Sequence, residues 1–408
     1  MTFPDHGGAD RSLESLESFL TGQFRWFHSH PELSGQEVAT TARIRTVLED
    51  LAIEVLDVGL PTGLIARIRG RAGSEATRPV VALRADIDAL PITERSGSAN
   101  ASVHPGVQHA CGHDFHLVAL LGAAALLSRR AASLPGDVVL VFQPAEESMA
   151  GARQVIATGA LQSLKVRAMF GLHVNADLAR GHVAVAEGAL SAAVDRFRVD
   201  VRGRGGHAAA PHLGEDVPLA ISHSVAQLQS VVSRRVDPLE PAVVSVTHID
   251  AGHTWNVLPD SGWFEGTART FSDRTRREVE SALRSILAGV AAASNVEIEV
   301  RWQPGPPAVV NDGELAMLVR EACQDLSIPV ETPRLRAGGE DFAEYRALMP
   351  GAFYLIGMGA PEAPTHSDRF VAKEGALLNA ARVHYGVARR ALRHWSREIP
   401  PVDASRRL

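Results

Sequence analysis

Three short runs narrow the architecture of this chain more than any other part of it. "PVVALRAD", "GDVVLVFQP" and "VRAMFGLHV" are apolar at almost every position, without the in–out alternation of a strand that faces water on one side. Strands of this kind are buried on both faces, which is the environment of a parallel sheet covered by helices. The helices are legible between them. "SLESLESFLTGQFRWFHSH" and "QEVATTARIRTVLEDL" repeat apolar residues at three- and four-residue steps, and "HLVALLGAAALLSRR" is apolar on nearly every side, so it predicts a buried helix. "GLIARIRG" adds a strand before the set. Further on come the helix "NDGELAMLVREACQDL", the strand "GAFYLIGMG" and a final helix from Lys373 to about Trp395. The expected class is α/β, with a mostly parallel sheet.

The pattern changes near residue 190. "AAVDRFRVDVRG" alternates as a half-buried strand and "DVPLAISHSVAQLQSVV" is helical. The strands "AVVSVTHID" and "SGWFEGTART" follow, then the helix "SDRTRREVESALRSILAGVAAAS" and the strand "VEIEVRW". The order β-α-β-β-α-β is that of a ferredoxin-like unit. A chain of 408 residues exceeds one ordinary core. The sequence therefore predicts a parent domain over residues 1–188 and 303–408, interrupted by an inserted domain over 189–302.

Charge removes some partners. The net charge is −6 and the 41 Lys and Arg residues are scattered, so neither nucleic acid nor an anionic membrane is expected as a partner. No apolar run approaches the length of a membrane span. The opening "MTFPDHGGADRSLESLESFL" has neither a basic start nor an apolar signal core, so export is not indicated and a cytoplasmic location is expected. Cys111 and Cys323, the two cysteines, are expected to be free thiols in a reducing compartment.

Reactive residues gather where the buried strands end. "VVALRAD" ends at Asp86, "VVLVFQPAEE" at Glu146 and Glu147, and "AMFGLH" at His173. Sites in open parallel sheets form outside the carboxyl ends of the strands. The octet "HACGHDFH" lies just before the buried helix, with Cys111 and His113 two apart, a spacing that puts both side chains on one side of an extended backbone. His173 and His366 of "PTHSD" complete a set of sulfur, nitrogen and carboxylate donors too large for one tetrahedral zinc and suited to two ions. Adjacent glutamates tend to point different ways: one binds metal and the other faces a reacting water, and the residues alone leave open which does which. Each member also has a plain reading: a packed thiol, a solvated glutamate pair, a core histidine. A Cys111–His113 nucleophile dyad is the rival chemistry, and the glutamate pair and distal histidines weigh against it.

With "HSHPELSGQE", "LRADIDALP", "HACGHDFH", "FQPAEE", "GLHV", "GGHAAAPH", "NVLPD", "GGEDF" and "PTHSD" in this order, the chain resembles the amidohydrolase branch of the M20 metallopeptidase family. That branch includes hippurate hydrolases, aminoacylases and hydrolases of indoleacetyl amino acids. The resemblance runs from about His28 to the final helix. It implies a dinuclear metallohydrolase with Cys111, His113, Glu147, His173 and His366 as metal ligands, Glu146 as general base and Asp86 supporting the site. It implies an inserted domain that acts as lid and dimerisation surface of a homodimer, with His207 of "GGHAAAPH" reaching the partner's active site to stabilise the oxyanion. Asn256 and Arg269 match substrate-end contacts, Arg269 being suited to a carboxylate; the plain alternatives are that Asn256 holds a loop and that Arg269 pairs with Glu265.

The larger family has histidine where this chain has Arg84, and aspartate in the segment that here holds Cys111 and His113. Both departures favour cleavage of the amide of a small N-acyl amino acid over peptide cleavage. A dipeptidase or carboxypeptidase is the alternative, and a catalytically silent metal-binding relative is a further one. The resemblance puts Mn first among the ions, while a thiolate ligand also suits Zn, Co or Ni.

Overall fold

The computed structural model of the protein describes residues 9–72 and 78–398. Residues 1–8, the start of the stretch on which the expectation about export rests, lie outside them. The chain divides into two compact units: one takes Met1–Gly188, Val310–Arg334 and Glu344–Leu408, the other Ala189–Val309 and Leu335–Ala343.

The first unit opens with α1 (Ala9–Ser29) and α2 (Val38–Asp50), then β1 (Glu54–Leu56), β2 (Leu64–Ile68) and β3 (Val80–Asp86). It continues with α3 (His113–Ser128), β4 (Asp137–Gln143), α4 (Gly151–Ala157), α5 (Ala160–Ser163), β5 (Ala168–Asn175) and β6 (Val183–Ala184). The eight-stranded sheet has the order β1-β2-β4-β3-β5-β16-β6-β15, closed by β15 (Val330–Glu331) and β16 (Gly351–Gly357). Its central run is parallel: Val81 of β3 pairs with Val138 of β4 and with Ala168 of β5, and β16 pairs parallel with β5. The flanks β1, β2 and the β16–β6 pair are antiparallel, which the continuous apolar runs did not foretell. All seven residues of β3 and all seven of β4 are buried, as double-sided cover requires.

Helix α3 is buried along nearly its whole length, between α1 and α9 (Leu377–Glu398), and α8 (Gly313–Asp325) also packs on α9. The close approach has a local cause. A Cβ at Gly122 would fall 2.7 Å from Ala381 Cβ and 2.7 Å from Leu20 Cδ2, so the backbone of α3 sits where a side chain would collide. No helix among the described residues is long and apolar enough to cross a membrane.

In the second unit β8 (Ala193–Arg202), α6 (Val217–Ser230), β10 (Ala242–Ala251), β12 (Ser261–Thr270), α7 (Asp273–Ser294) and β13 (Glu297–Pro304) follow in the β-α-β-β-α-β order. The sheet order β10-β12-β8-β13, antiparallel throughout, is the ferredoxin-like one. The short strands β9 (Gly206–His207) and β11 (Val257–Leu258) pair beside it. Asp216 caps α6 through Leu219 N–H and Ser272 caps α7 through Thr275 N–H, so both helices start on a side-chain oxygen. Short strands β7 (Gly188–Ser191) and β14 (Val309–Asn311) carry the chain into this unit and out of it.

This unit is larger than residues 189–302. Residues 303–309 stay with it because Val194 N–H donates to Pro306 O and Gly305 N–H to Val194 O. Leu335–Ala343 returns to it because Ala192 N–H donates to Arg336 O and Arg336 N–H to Leu190 O. Both are long-range backbone pairings, invisible to periodicity.

Candidate active site

The sheet delivers its reactive residues at strand ends. Asp86 is the last residue of β3, and His173 lies near the end of β5. Beyond β4 the chain turns sharply: Ala145 takes the left-handed conformation (φ 55°) and its N–H donates to the buried Glu37 carboxylate at 2.8 Å. Glu146 and Glu147 follow at once. The octet is turned by Gly112 at φ 93°, where a Cβ would also come within 2.7 Å of Val174 Cγ2. Cys111 and His113 therefore converge through a glycine turn into the first residue of α3, not through extended backbone. His366, another residue with positive φ (65°), is held by its N–H donating to Ala110 O at 2.7 Å. A non-glycine residue in that region costs roughly 1–3 kcal/mol, and the surrounding structure sustains it here.

Asp86, Cys111, His113, Glu146, Glu147, His173 and His366, all in the first unit, are brought together. Their ligand atoms form overlapping groups: Cys111, His113 and His173; Cys111, Glu147 and His366; His113, Glu146 and Glu147, each with donors within 4.8 Å of one another. Cys111 belongs to the first two of these. Its Sγ lies 3.4 Å from His173 Nε2. Glu147 Oε1 lies 3.9 Å from His113 Nε2 and 3.6 Å from His366 Nε2.

Hydrogen bonds decide which ring nitrogens can donate an electron pair. His113 Nδ1 faces Asp88 O at 3.0 Å and Asp88 Oδ1 at 3.1 Å, both acceptors, so Nδ1 carries a proton and Nε2 points into the cluster. His173 Nδ1 likewise donates to Val174 O at 2.7 Å, leaving Nε2 toward Cys111. His116 differs. Its Nδ1 donates to Asp86 Oδ1 at 2.6 Å while its Nε2 accepts Val174 N–H at 3.0 Å, so neither nitrogen is left for a ligand although its ring lies close.

The donor set fits metal ions. His113 Nε2 and Glu147 Oε1 are both buried without a hydrogen-bond partner, a condition costing about 1–3 kcal/mol each unless something else binds them. The local potential favours cations. Burial opposes charge at His113, but Asp86, Cys111 and Asp88 outweigh it and raise the ring well above its ordinary basicity. Burial pushes the Cys111 thiol up to about 12, a direction that a divalent ion at Sγ reverses. Asp86 is held well below the usual carboxylate range: burial works against ionisation, and the charges of His113 and Arg84 together with the hydrogen bond from His116 prevail. The fully buried Arg84 donates to Asp86 Oδ2 at 2.7 Å and to Gln143 Oε1 at 2.9 Å.

The other anticipated residues lie in the second unit. His207, on β9, pairs with Val257 and accepts Ala209 N–H at Nδ1, 3.0 Å away. Asn256 O accepts Ala208 N–H, which ties the loop of Asn256 to that of His207. Arg269 lies on β12, where burial lowers its basicity against the opposing charge of Asp195, and its side chain makes no hydrogen bond or ion pair among the described residues. Glu265, its suggested partner, binds Arg196 Nη2 at 2.5 Å instead. Sequence reasoning passed over Asp88, His116 and Ser34, although all three stand inside quoted motifs. Asp88, two residues beyond Asp86, had the one available signal.

Comparisons with known proteins agree with this architecture. The chain belongs to peptidase family M20/M25/M40, whose pattern matches residues 82–390. It is 43% identical over 381 residues to the N-acetyl-L-cysteine deacetylase of Bacillus subtilis (strain 168), covering 93% of this chain and 90% of the relative. It is 34% identical over 381 residues to thermostable carboxypeptidase 2 of Saccharolobus solfataricus, covering 91% of this chain and 95% of that one. Among solved structures, a dinuclear metal binding peptidase of the M20 family from Bacillus subtilis superposes with a TM-score of 0.84 at 40% identity, covering 93% of this chain and 99% of the other.

Proposed function

We propose that the protein is a metal-dependent amidohydrolase that cleaves the amide bond of N-acyl amino acids to a carboxylate and a free amino acid. The observation that carries the reading is the cluster of sulfur, imidazole and carboxylate donors at the strand ends, with His113 Nε2 and Glu147 Oε1 buried and unpartnered within it. The likeness to an N-acetyl-L-cysteine deacetylase across nearly the whole chain supports the substrate class.

Cys111, His113, Glu147, His173 and His366 would hold two divalent ions, Mn first, with Zn, Co or Ni as alternatives that a thiolate ligand also suits. When bound, such ions supply Lewis-acid polarisation of the amide carbonyl and lower the pKa of the attacking water. Glu146, buried and 4.0 Å from His113 Nε2 through Oε2, takes the proton from that water and returns it to the departing amine nitrogen. Asp86 orients His116 and braces the floor of the site. Arg269, a partly buried guanidinium with no partner among the described residues, binds the substrate carboxylate, and Asn256 steadies the same end. The second unit acts as lid and dimerisation surface of a homodimer, and His207 of the partner subunit donates to the developing oxyanion. Two free cysteines agree with a cytoplasmic setting.

The likeness to a thermostable carboxypeptidase favours a second reading, in which peptides are the substrates. One experiment separates them. Protein stripped of metal and reloaded with Mn, Zn, Co or Ni is assayed for amine release from a panel of N-acyl amino acids and of dipeptides and longer peptides. Activity that returns with an ion and is confined to acyl amino acids supports the first reading; activity confined to peptides supports the second; chelator-insensitive activity overturns both.

A further inference from the structure

Asp88 has no part in the chemistry assigned above, yet it makes more contacts with the proposed ligands than Asp86 does. It lies two residues beyond β3 and is 1% exposed. Its Oδ1 is 3.1 Å from His113 Nδ1, and its own carbonyl oxygen is 3.0 Å from the same nitrogen. Its Oδ2 accepts the backbone N–H of Glu147 at 3.0 Å and the hydroxyl of Ser34 at 2.6 Å. One buried carboxylate thus joins the start of α3, the turn after β4 and the segment between α1 and α2.

The two residues it grips share one donor group with Glu146, and each also belongs to a group without the other: His113 with Cys111 and His173, and Glu147 with Cys111 and His366. Asp86 is spent on Arg84 and His116, and its nearest approach to His113 Nε2 is 3.7 Å. Ser34 orients Asp88 by donating to the oxygen that also receives Glu147 N–H, which leaves the other oxygen for the His113 ring.

We propose that Asp88 is the positioning residue that couples the two metal positions, with Ser34 as its orienting donor; this rests on the metal-site reading given above. Its basis is chemical. A carboxylate behind an imidazole fixes the tautomer and the ring plane, and loss of such a partner commonly weakens metal binding about 10- to 100-fold. Here the same carboxylate also sets the backbone from which Glu147 projects, so its loss reaches both positions. In D88N only one side-chain oxygen remains, and the amide nitrogen cannot accept Glu147 N–H.

The test titrates ion-free, full-length wild type, D88N, S34A and H366N with Mn(II) and Zn(II) by calorimetry, and records the visible absorption of the Co(II)-loaded forms. Folding of each is checked by circular dichroism. The expected result is weakening of both binding steps in D88N, about 10-fold or more, with a changed Co(II) band. A loss of several-fold at both steps is expected in S34A, and a loss at one step in H366N. Two unaltered steps in D88N, or weakening of one step only, would overturn the coupling. Should D88N fail to fold, S34A decides on the same criterion. A wild-type protein that takes up no pair of ions would instead overturn the metal-site reading, and the coupling with it.

Discussion

Glu146 and Glu147 are neighbours with different surroundings, and the proposed mechanism assigns them different work. Glu147 Oε1 is buried without a hydrogen bond and lies within 4 Å of two imidazoles, the environment of a ligand. Glu146→Gln keeps the shape and removes the base. The variant is expected to bind its ions as wild type does and to lose about 10²–10⁴-fold in kcat; metal content measured beside turnover checks this, and normal turnover in a metal-loaded variant would sink the role. A second residue-scale prediction concerns His28, at the end of α1. It bonds Asp114 Oδ2 at 2.7 Å and Glu94 Oε1 at 3.3 Å inside the protein. Burial lowers its basicity, but the bonds and charges of Asp114 and Glu94 prevail and raise its pKa to about 10. A raised folded pKa contributes stability that is complete below the unfolded value of about 6.5 and fades as pH rises through about 10. Asp114 and Glu94, both lowered, place the opposite loss on the acid side. His28→Gln should therefore lower stability by roughly 3–5 kcal/mol at neutral pH. Its deficit against wild type should shrink as pH rises from about 6.5 through about 10, as followed by denaturant unfolding across pH; a deficit that does not vary with pH would refute the charge assignment.

At the scale of elements, the site depends on how strands hand over to turns and helices. Gly112 holds the junction between Cys111 and α3 at φ 93°, and any Cβ there meets Val174 on β5 at 2.7 Å. Gly112→Ala is expected to cost about 1–3 kcal/mol from backbone strain and to push Cys111 away from His173. Measured by thermal unfolding and metal content, it should lose ions more completely than it loses fold; unchanged metal affinity would show that the turn tolerates a side chain. The second unit offers a contrast. Its β-α-β-β-α-β order is carried by alternating strands and capped helices, while its added segments, residues 303–309 and Leu335–Ala343, are joined by long-range backbone pairing and, at Gly305, by hydrogen bonds with the side chains of Arg276 and Asp195.

For the whole molecule, metal ions and stability are coupled. Ligands drawn from α3, the turn after β4, β5 and the loop of His366 come together only in the folded first unit. Ions that bind this arrangement and not the unfolded chain raise stability by mass action, about 2.7 kcal/mol at a free concentration a hundred times Kd. Chelation should therefore lower Tm, and titrating back the preferred ion should raise it in a concentration-dependent way. A Tm indifferent to chelator and to ion would argue against a site built from these residues.

Read alone, the sequence determined the α/β class, the buried parallel strands, the ferredoxin-like order and the neighbourhood of the donor residues. All of these follow from local periodicity and from the rule that sites form where parallel strands end. The roles proposed for Glu146 and Glu147 came from the named motifs, since spacing left them open. Only the tertiary structure decided which imidazole nitrogens face the cluster, that His116 is fully engaged, that Glu265 pairs with Arg196 and not with Arg269, and that Asp88 binds both His113 and Glu147. The physical reason is the same in each case. A proton's place on a ring, or a carboxylate's choice of partner, is set by acceptors and donors from distant parts of the chain. Local pattern holds no record of those until the sheet and helices have packed.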